Sequence, residues 1–193
     1  MAAAECGLGL LQHDARPQRA HVAHTDPMAV PSSMRAAVKR SGGAVSVADV
    51  GTPVLRSGQA LVKVAGSSVN PIDWKLSVPG VGGRDFAGAV AQIEGPCSVS
   101  IGEEVWGDAP SGAWAEYLAV DCSIVSKKPA GLSMAEAGAM PHVSLTALQA
   151  LTMAGAPWSS APTVVILGGS GGVGHVAIQL ATDLGAGRVI ATT

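Results

Sequence analysis

The sequence predicts a protein of the α/β plus β class. A barrel-like β unit comes first, and the opening strand–helix–strand of a doubly wound α/β domain follows. Three observations support this prediction. Short strand patterns separated by glycine or proline fill residues 34–126. Helical periodicity replaces them after residue 132, and a continuous apolar strand at 163–167 then leads into a glycine-rich turn.

Composition excludes several classes of function. The 193 residues are 48% hydrophobic and 13% charged, with a formal net charge of −2. This balance predicts no nucleic-acid partner, and no apolar run reaches the length of a membrane span. The cysteines Cys6, Cys97 and Cys122 are odd in number and widely spaced. They predict neither a disulfide framework nor a metal knuckle, so a reducing compartment is expected.

The first 33 residues differ from the rest of the chain. Residues 1–33 mix proline, histidine and both signs of charge without periodicity, and we predict a disordered extension. A transit peptide would avoid acids, whereas this segment contains Glu5, Asp14 and Asp26. A cytoplasmic location is therefore expected, and plastid or mitochondrial targeting remains the alternative.

The β unit begins with two strands, 34–40 and 44–50, around a turn at 41–43. The segment 59–65 alternates in a way that predicts a strand with one buried face. The remaining strands of the unit are predicted at 86–93, 105–106, 113–120 and 124–126.

Helical signals then take over. The segment 133–139 begins with Ser133 at a plausible N-cap and Glu136 three residues later, which is the pattern of a capping box. Pro141 interrupts the helical pattern, which resumes at 144–153. A further helix is predicted at 172–184, ended by Gly185, and a second buried strand begins at 189.

The turn after the strand at 163–167 carries the most specific motif. Gly169, Gly171 and Gly174 match G-x-G-x-x-G between a buried strand and a helix. Such glycines let backbone amides approach a pyrophosphate, and the helix N-terminus is electropositive. An ordinary glycine-rich turn is the alternative. The expected cofactor-binding residues of this glycine loop are Gly169, Ser170, Gly171, Gly172, Val173 and Gly174.

The end of the second strand indicates the type of cofactor. NAD-selective folds usually carry an acidic residue about 20 residues beyond the glycines, where it holds the ribose 2′-hydroxyl. Here that place falls at Thr192 and Thr193. An uncharged residue does not repel a 2′-phosphate, so we expect NADPH, with Thr193 beside the adenosine ribose.

Five motifs precede the glycine loop in a fixed order: VNPIDWK at 69–75, DFAG at 85–88, GEEVWG at 102–107, GAWAEY at 112–117 and LTALQAL at 145–151. Together with the loop they resemble the medium-chain dehydrogenase/reductase superfamily, in its zinc-free, quinone oxidoreductase-like (zeta-crystallin-like) branch. The resemblance implies a GroES-like β-barrel followed by a Rossmann domain. It also implies hydride transfer from NADPH to a quinone or enone, and a homodimer for a full-length form.

The resemblance divides the chain into a GroES-like substrate domain at 34–130 and linking helices with a partial Rossmann domain at 131–193. A doubly wound sheet has about six strands, of which two are predicted here. The chain is therefore expected to be incomplete at its C-terminus. A truncated, non-catalytic isoform or pseudoenzyme is the alternative function.

Three residues outside the glycine loop receive roles from the resemblance. Asn70 is expected near the nicotinamide and Thr146 on the nicotinamide-ribose side. Lys75 is expected to polarise the substrate carbonyl as it becomes an enolate, and a solvated lysine at a helix end is the alternative.

A zinc alcohol dehydrogenase is disfavoured. In the zinc-dependent branch Cys, His and Cys occupy the places of Asn70, Arg84 and His142. Zinc requires three ligands of the Cys, His or carboxylate type. We therefore expect no metal.

Overall fold

The computed structural model describes residues 29–75 and 79–193. Most of the predicted disordered extension, 1–28, lies outside the described residues. The strands are β1 (Ser33–Lys39), β2 (Val45–Gly51), β3 (Gln59–Ser67), β4 (Gly80–Val81), β5 (Asp85–Glu94), β6 (Glu104–Asp108), β7 (Tyr117–Asp121), β8 (Ser126–Lys127), β9 (Thr163–Ile166) and β10 (Arg188–Ala191). The helices are α1 (Pro71–Lys75), α2 (Met134–Ala139), α3 (Pro141–Met153) and α4 (Gly172–Asp183), and a 3₁₀ turn spans Cys122–Ile124.

The first sheet is built on a hairpin. β1 and β2 pair antiparallel throughout, and the turn between them contains Gly42 and Gly43 at φ of 93° and 86°. Only glycine adopts such backbone angles without strain, which explains the glycine pair. The two-residue strand β4, which is too short to show a pattern in the sequence, pairs with the other edge of β1.

The second sheet has five strands in the order β7-β3-β5-β6-β8. Its second strand, β3, is buried on both faces near its start, which corrects the expectation of a single buried face. Val62 packs with Phe86 and Val90 on one side, and Leu61 packs with Met34 in a second cluster on the other.

The β unit is therefore made of two sheets and is not a closed barrel in the described part of the chain. The segment before β7 leaves the five-stranded sheet and bonds to the first sheet. Ala37 donates to the Trp114 carbonyl at 2.8 Å, and Glu116 donates to the Arg35 carbonyl at 3.1 Å. For this reason the predicted strand at 113–120 forms its ladder with β3 only from Tyr117, and before it the Glu116 carbonyl accepts one hydrogen bond from the Val64 N–H at 3.0 Å.

The predicted strand at 124–126 was also wrong in part. The 3₁₀ turn Cys122–Ile124 fills its first position, and only β8 pairs with β6.

Two cysteines form a disulfide that the sequence analysis did not predict. Cys97 and Cys122 are bonded, with their Cα atoms 5.3 Å apart. They approach because Gln59, at the start of β3, pairs with the ends of both β5 and β7. Sequence spacing could not show this, since the strand order determines it. Cys6 lies outside the described residues.

The predicted capping box is confirmed at the start of α2. The Glu136 carboxylate accepts hydrogen bonds from the Ser133 hydroxyl and backbone N–H, and the Ser133 hydroxyl accepts one from the Glu136 N–H. These bonds lower the pKa of Glu136 below its ordinary value of 4.5. Pro141 begins α3, where a missing N–H costs nothing.

The second part of the chain opens as the sequence predicts, with strand, loop, helix and strand. β9 and β10 pair in parallel, and α3 and α4 cover them with Ala147, Leu151 and Ala181. Burial on both faces of β9 is not observed in the described residues, because Val165 is 59% exposed. Within residues 29–75 and 79–193, no helix is long and apolar enough to cross a membrane.

Candidate functional site

Asn70 occupies a buried position between β3 and α1, with 6% of its surface exposed. Its backbone N–H donates to the Asp73 carboxylate at 2.7 Å. Its side-chain amide donates to the Asp85 carboxylate at 2.7 Å and to the Ser68 hydroxyl at 2.9 Å. Both donors of the amide are therefore used internally, and the side chain is held in one orientation.

Asp85 organises this cluster from the first position of β5. It is completely buried, and its Oδ2 accepts from Ser68 at 2.5 Å and from Asn70. Its Oδ1 accepts from the His142 backbone N–H at 2.6 Å. An anion is favourable there, because the first turn of α3 leaves unpaired N–H groups and carries the positive end of the helix dipole.

The importance of Asp85 was missed by the sequence analysis. The available signal was an acidic residue at the head of an otherwise apolar strand of small residues. Buried carboxylates are rare unless they are paired or fully hydrogen-bonded, so an acidic residue in this strand indicates hydrogen-bond partners from other segments.

A second cluster lies next to the first and is centred on Asp108. The Arg84 guanidinium donates to both carboxylate oxygens of Asp108, at 2.9 and 3.0 Å. The His142 Nδ1 lies 3.2 Å from Asp108 Oδ2. His142 therefore connects the two clusters, through its backbone N–H to Asp85 and through its ring to Asp108.

These contacts bear on the expectation that the site lacks metal. Asn70 and His142 both bond to Asp85, and Arg84 and His142 both contact Asp108, so these three residues belong to adjoining clusters. Arg84 and Asp108 form a carboxylate–guanidinium pair there. No group of three or more metal-binding side chains occurs among residues 29–75 and 79–193. The donors present do not suit zinc, because an amide and a guanidinium replace two of the usual ligands.

The glycine loop has the geometry of a dinucleotide-binding turn. Gly168 adopts a φ of 72°, and α4 begins at Gly172. A Cβ at Gly174 would lie 2.8 Å from the Gly169 Cα and closer still to the Gly168 carbonyl oxygen. Only glycine permits this contact between the helix and the loop.

The loop is fastened to the end of β10. The Thr192 hydroxyl accepts from the Gly168 N–H at 3.1 Å, and the Thr192 carbonyl accepts from the Gly169 N–H at 2.6 Å. Thr193 follows with an exposed side chain. Thr192, one of the two residues expected near the adenosine ribose, therefore contacts the loop directly, and Thr193 is the next residue.

Helix α3 brings the glycine loop and the Asn70 cluster together. A Cβ at Gly172 would lie 3.2 Å from the Val143 Cγ1. Val143 follows His142, and one turn later the Thr146 hydroxyl donates to the His142 carbonyl at 2.7 Å. Thr146 and the positive end of α4 thus both lie near the first turn of α3.

Lys75 lies apart from this arrangement. It is the last residue of α1 and is exposed, with its Nζ 5.5 Å from the centroid of the Trp74 ring. Trp74 is itself 66% exposed. The role of Lys75 in polarising a carbonyl stays a prediction.

Two cavities adjoin the pair formed by Arg84 and Asp108. The larger, about 480 Å³, has Asp108 at its edge and is otherwise lined mainly by apolar side chains of β6, the 3₁₀ turn and α3. The smaller, about 270 Å³, has Arg84 in its wall and lies against α1, between Ile72 and Pro110.

The chain is similar in sequence to known reductases. Residues 56–130 match the alcohol dehydrogenase GroES-like domain. The chain is 34% identical over 208 residues to the 2-methylene-furan-3-one reductase of Solanum lycopersicum, covering 95% of this chain and 53% of the relative. It is 30% identical over 193 residues to the chloroplastic NADPH-dependent alkenal/one oxidoreductase of Arabidopsis thaliana, covering 87% and 50%.

The fold of the chain also matches that of a solved oxidoreductase structure. The quinone oxidoreductase from Coxiella burnetii superimposes with a TM-score of 0.71 at 33% identity, covering 83% of this chain and 56% of that one. The chain spans about half the length of the curated relatives it matches.

Proposed function

Because this chain belongs to the medium-chain dehydrogenase/reductase superfamily, in its quinone oxidoreductase-like branch, we propose that its protein is an NADPH-dependent reductase of quinones or α,β-unsaturated carbonyl compounds. The observation that supports this most is the glycine loop. The N-terminus of α4 adjoins Val143 in the first turn of α3, and in that turn His142 bonds to Asp85 and accepts from Thr146.

The described residues fit a dinucleotide. The first amides of α4 have no carbonyl partner within the helix, and with the dipole they favour a pyrophosphate. When bound, the cofactor supplies the hydride. The glycine loop from Gly169 to Gly174 holds the phosphates in this proposal, and Thr146 contacts the nicotinamide ribose.

Asn70 and Lys75 complete the proposed site. Asn70 is fixed by Asp85 and Ser68, so it offers the nicotinamide a side chain that does not need to be ordered on binding. Lys75 is proposed to approach the substrate carbonyl from the end of α1. This requires its ammonium group to leave the face of Trp74.

The preference for NADPH rests on the end of β10. The Thr193 side chain is uncharged and exposed, and it follows Thr192, which bonds to the loop. A carboxylate at that point would repel a 2′-phosphate, whereas threonine leaves space for it.

Turnover with matched acceptors tests the proposal. In a version extended to the length of its relatives, we expect NADPH oxidation with 2-cyclohexenone or 1,4-naphthoquinone and none with cyclohexanone. Cyclohexanone lacks the conjugated double bond that accepts the hydride. Reduction of cyclohexanone that is abolished by a zinc chelator would contradict the proposal, and it would indicate alcohol dehydrogenase chemistry.

A further inference from the structure

The smaller cavity has the positively charged side chain of Arg84 in its wall, near the cluster around Asn70. Arg84 lies in its wall with 24% of its side chain exposed. The rest of the wall combines Ile72 and Pro110 with the polar residues Lys39, Asp73 and Ser111. Ile72 lies two residues after Asn70, and Arg84 directly precedes Asp85. The wall of the cavity also includes Asp73, whose carboxylate accepts from the Asn70 N–H at 2.7 Å, so the cavity lies next to the residue that holds Asn70.

Arg84 keeps donor capacity that the protein does not use. A guanidinium has five N–H groups. Nε and one N–H of Nη2 bind Asp108, and one N–H of Nη1 points to the Pro110 carbonyl at 3.4 Å. One N–H on each terminal nitrogen has no partner among the residues that the structure describes. These two donors can bind an oxygen in the cavity.

Asp108 fixes the direction of these donors. Its two-point contact with Arg84 prevents rotation of the guanidinium, and the His142 ring contacts the same Oδ2 that accepts from Arg84 Nη2. A cation that is already oriented and partly removed from water stabilises a developing negative charge with little reorganisation.

We infer that Arg84 is a catalytic residue that binds the carbonyl oxygen of the acceptor, which rests on the proposed function. Hydride adds to the β-carbon of the enone, the C=C electron pair moves into the bond between the α-carbon and the carbonyl carbon, and the carbonyl oxygen becomes the enolate oxygen. Arg84 stabilises this anion. A proton from water then adds to the α-carbon, so that the net change is addition of one hydride and one proton.

Arg84 acts on the same oxygen as Lys75 does in the proposed site, and its surroundings favour the contact more strongly. The Lys75 ammonium is solvated beside an exposed tryptophan, where water screens its charge. The Arg84 guanidinium borders a partly open cavity, is itself only 24% exposed, and has its position set by Asp108. Both residues can be compared in one experiment.

An enolate mimic tests the inference without cofactor or turnover. 4-Nitrophenolate is a small planar oxyanion whose absorption separates it from its protonated form. On the 193-residue chain we expect Arg84→Gln to weaken its binding by about tenfold or more, the effect of one or two charge-assisted hydrogen bonds. Arg84→Lys should recover part of the loss. Arg56→Gln removes the same charge from an exposed surface position and should change nothing.

Circular dichroism first establishes that each variant is folded. If Arg84→Gln does not fold, Arg84→Lys is compared with the wild type instead. Equal binding by wild-type protein and a folded Arg84 variant would overturn the inference, as would a loss caused only by Lys75→Gln. A separate NADPH titration of a version extended to the length of its relatives keeps the two proposals distinct. Arg84-dependent nitrophenolate binding without NADPH binding would retain the oxyanion site and refute the reductase.

Discussion

Replacing Asp85 with asparagine removes the charge at the centre of the site while preserving its shape. Two donors, from Ser68 and Asn70, meet Oδ2, and the His142 N–H meets Oδ1. An amide oxygen can keep the first two bonds, but its NH₂ group would then face the His142 N–H. A buried unsatisfied donor costs about 1–3 kcal/mol, and the loss of charge weakens the other two bonds by about 1 kcal/mol together. The expected loss in the free energy of unfolding is about 3 kcal/mol.

Urea denaturation followed by circular dichroism measures this loss. Asp49→Asn is the matched control, because Asp49 is exposed on β2. Its unfolding midpoint should stay close to that of the wild type. If Asp85→Asn shifted the midpoint no more than Asp49→Asn does, the buried network would not stabilise the fold and Asn70 would not be fixed by it.

Three further predictions concern the loop, the cofactor and pH. Gly171→Val and Gly174→Val should both abolish NADPH binding in the extended version, and Gly174→Val should also lower its thermal stability, since only there does a Cβ strike the backbone; unchanged affinity would refute the assignment of the loop. Thr193→Asp should shift the ratio of NADPH to NADH dissociation constants towards NADH, and an unchanged ratio would place the ribose elsewhere. The pKa of Glu136 is lowered in the folded state. The stability that the ionised carboxylate contributes is therefore present above pH 4.5 and is lost as the pH falls through the lowered pKa. Glu136→Gln should thus reduce the stability difference between pH 6 and pH 3, and a difference equal to that of the wild type would contradict the capping role.

The elements that the sequence predicted well carry local signals. The hairpin turn needs glycines at positive φ, the capping box needs Ser133 and Glu136, and the glycine loop needs Gly174 against Gly168. In each case a few residues close in sequence make the contacts that determine the structure, so the pattern is visible without the fold.

The features that the sequence missed depend on pairing over long distances. The disulfide between Cys97 and Cys122 follows from strand order. A second example is the contact of α2 with β3, where a Cβ at Gly138 would meet the backbone of Gly66. A third example is Asp85, whose carboxylate accepts from the N–H of His142, 57 residues away in the first turn of α3. No periodicity within one segment can reveal such contacts.

The exposed face of β9 shows a different kind of limit. The apolar pattern correctly predicted a strand, but it also implied cover on both faces. In the described chain Val165 remains exposed because α3 and α4 pack on the other face only.

Titration with NADPH, followed by nicotinamide fluorescence, tests the central claim most directly. It should be carried out on the 193-residue chain and on a version extended to the length of its relatives, each with and without Gly174→Val. We predict saturable binding by the extended protein, tighter for NADPH than for NADH, and its loss in the variant. The absence of saturable binding by the extended protein, or the same affinity in a folded Gly174→Val variant, would contradict a dinucleotide site at the glycine loop.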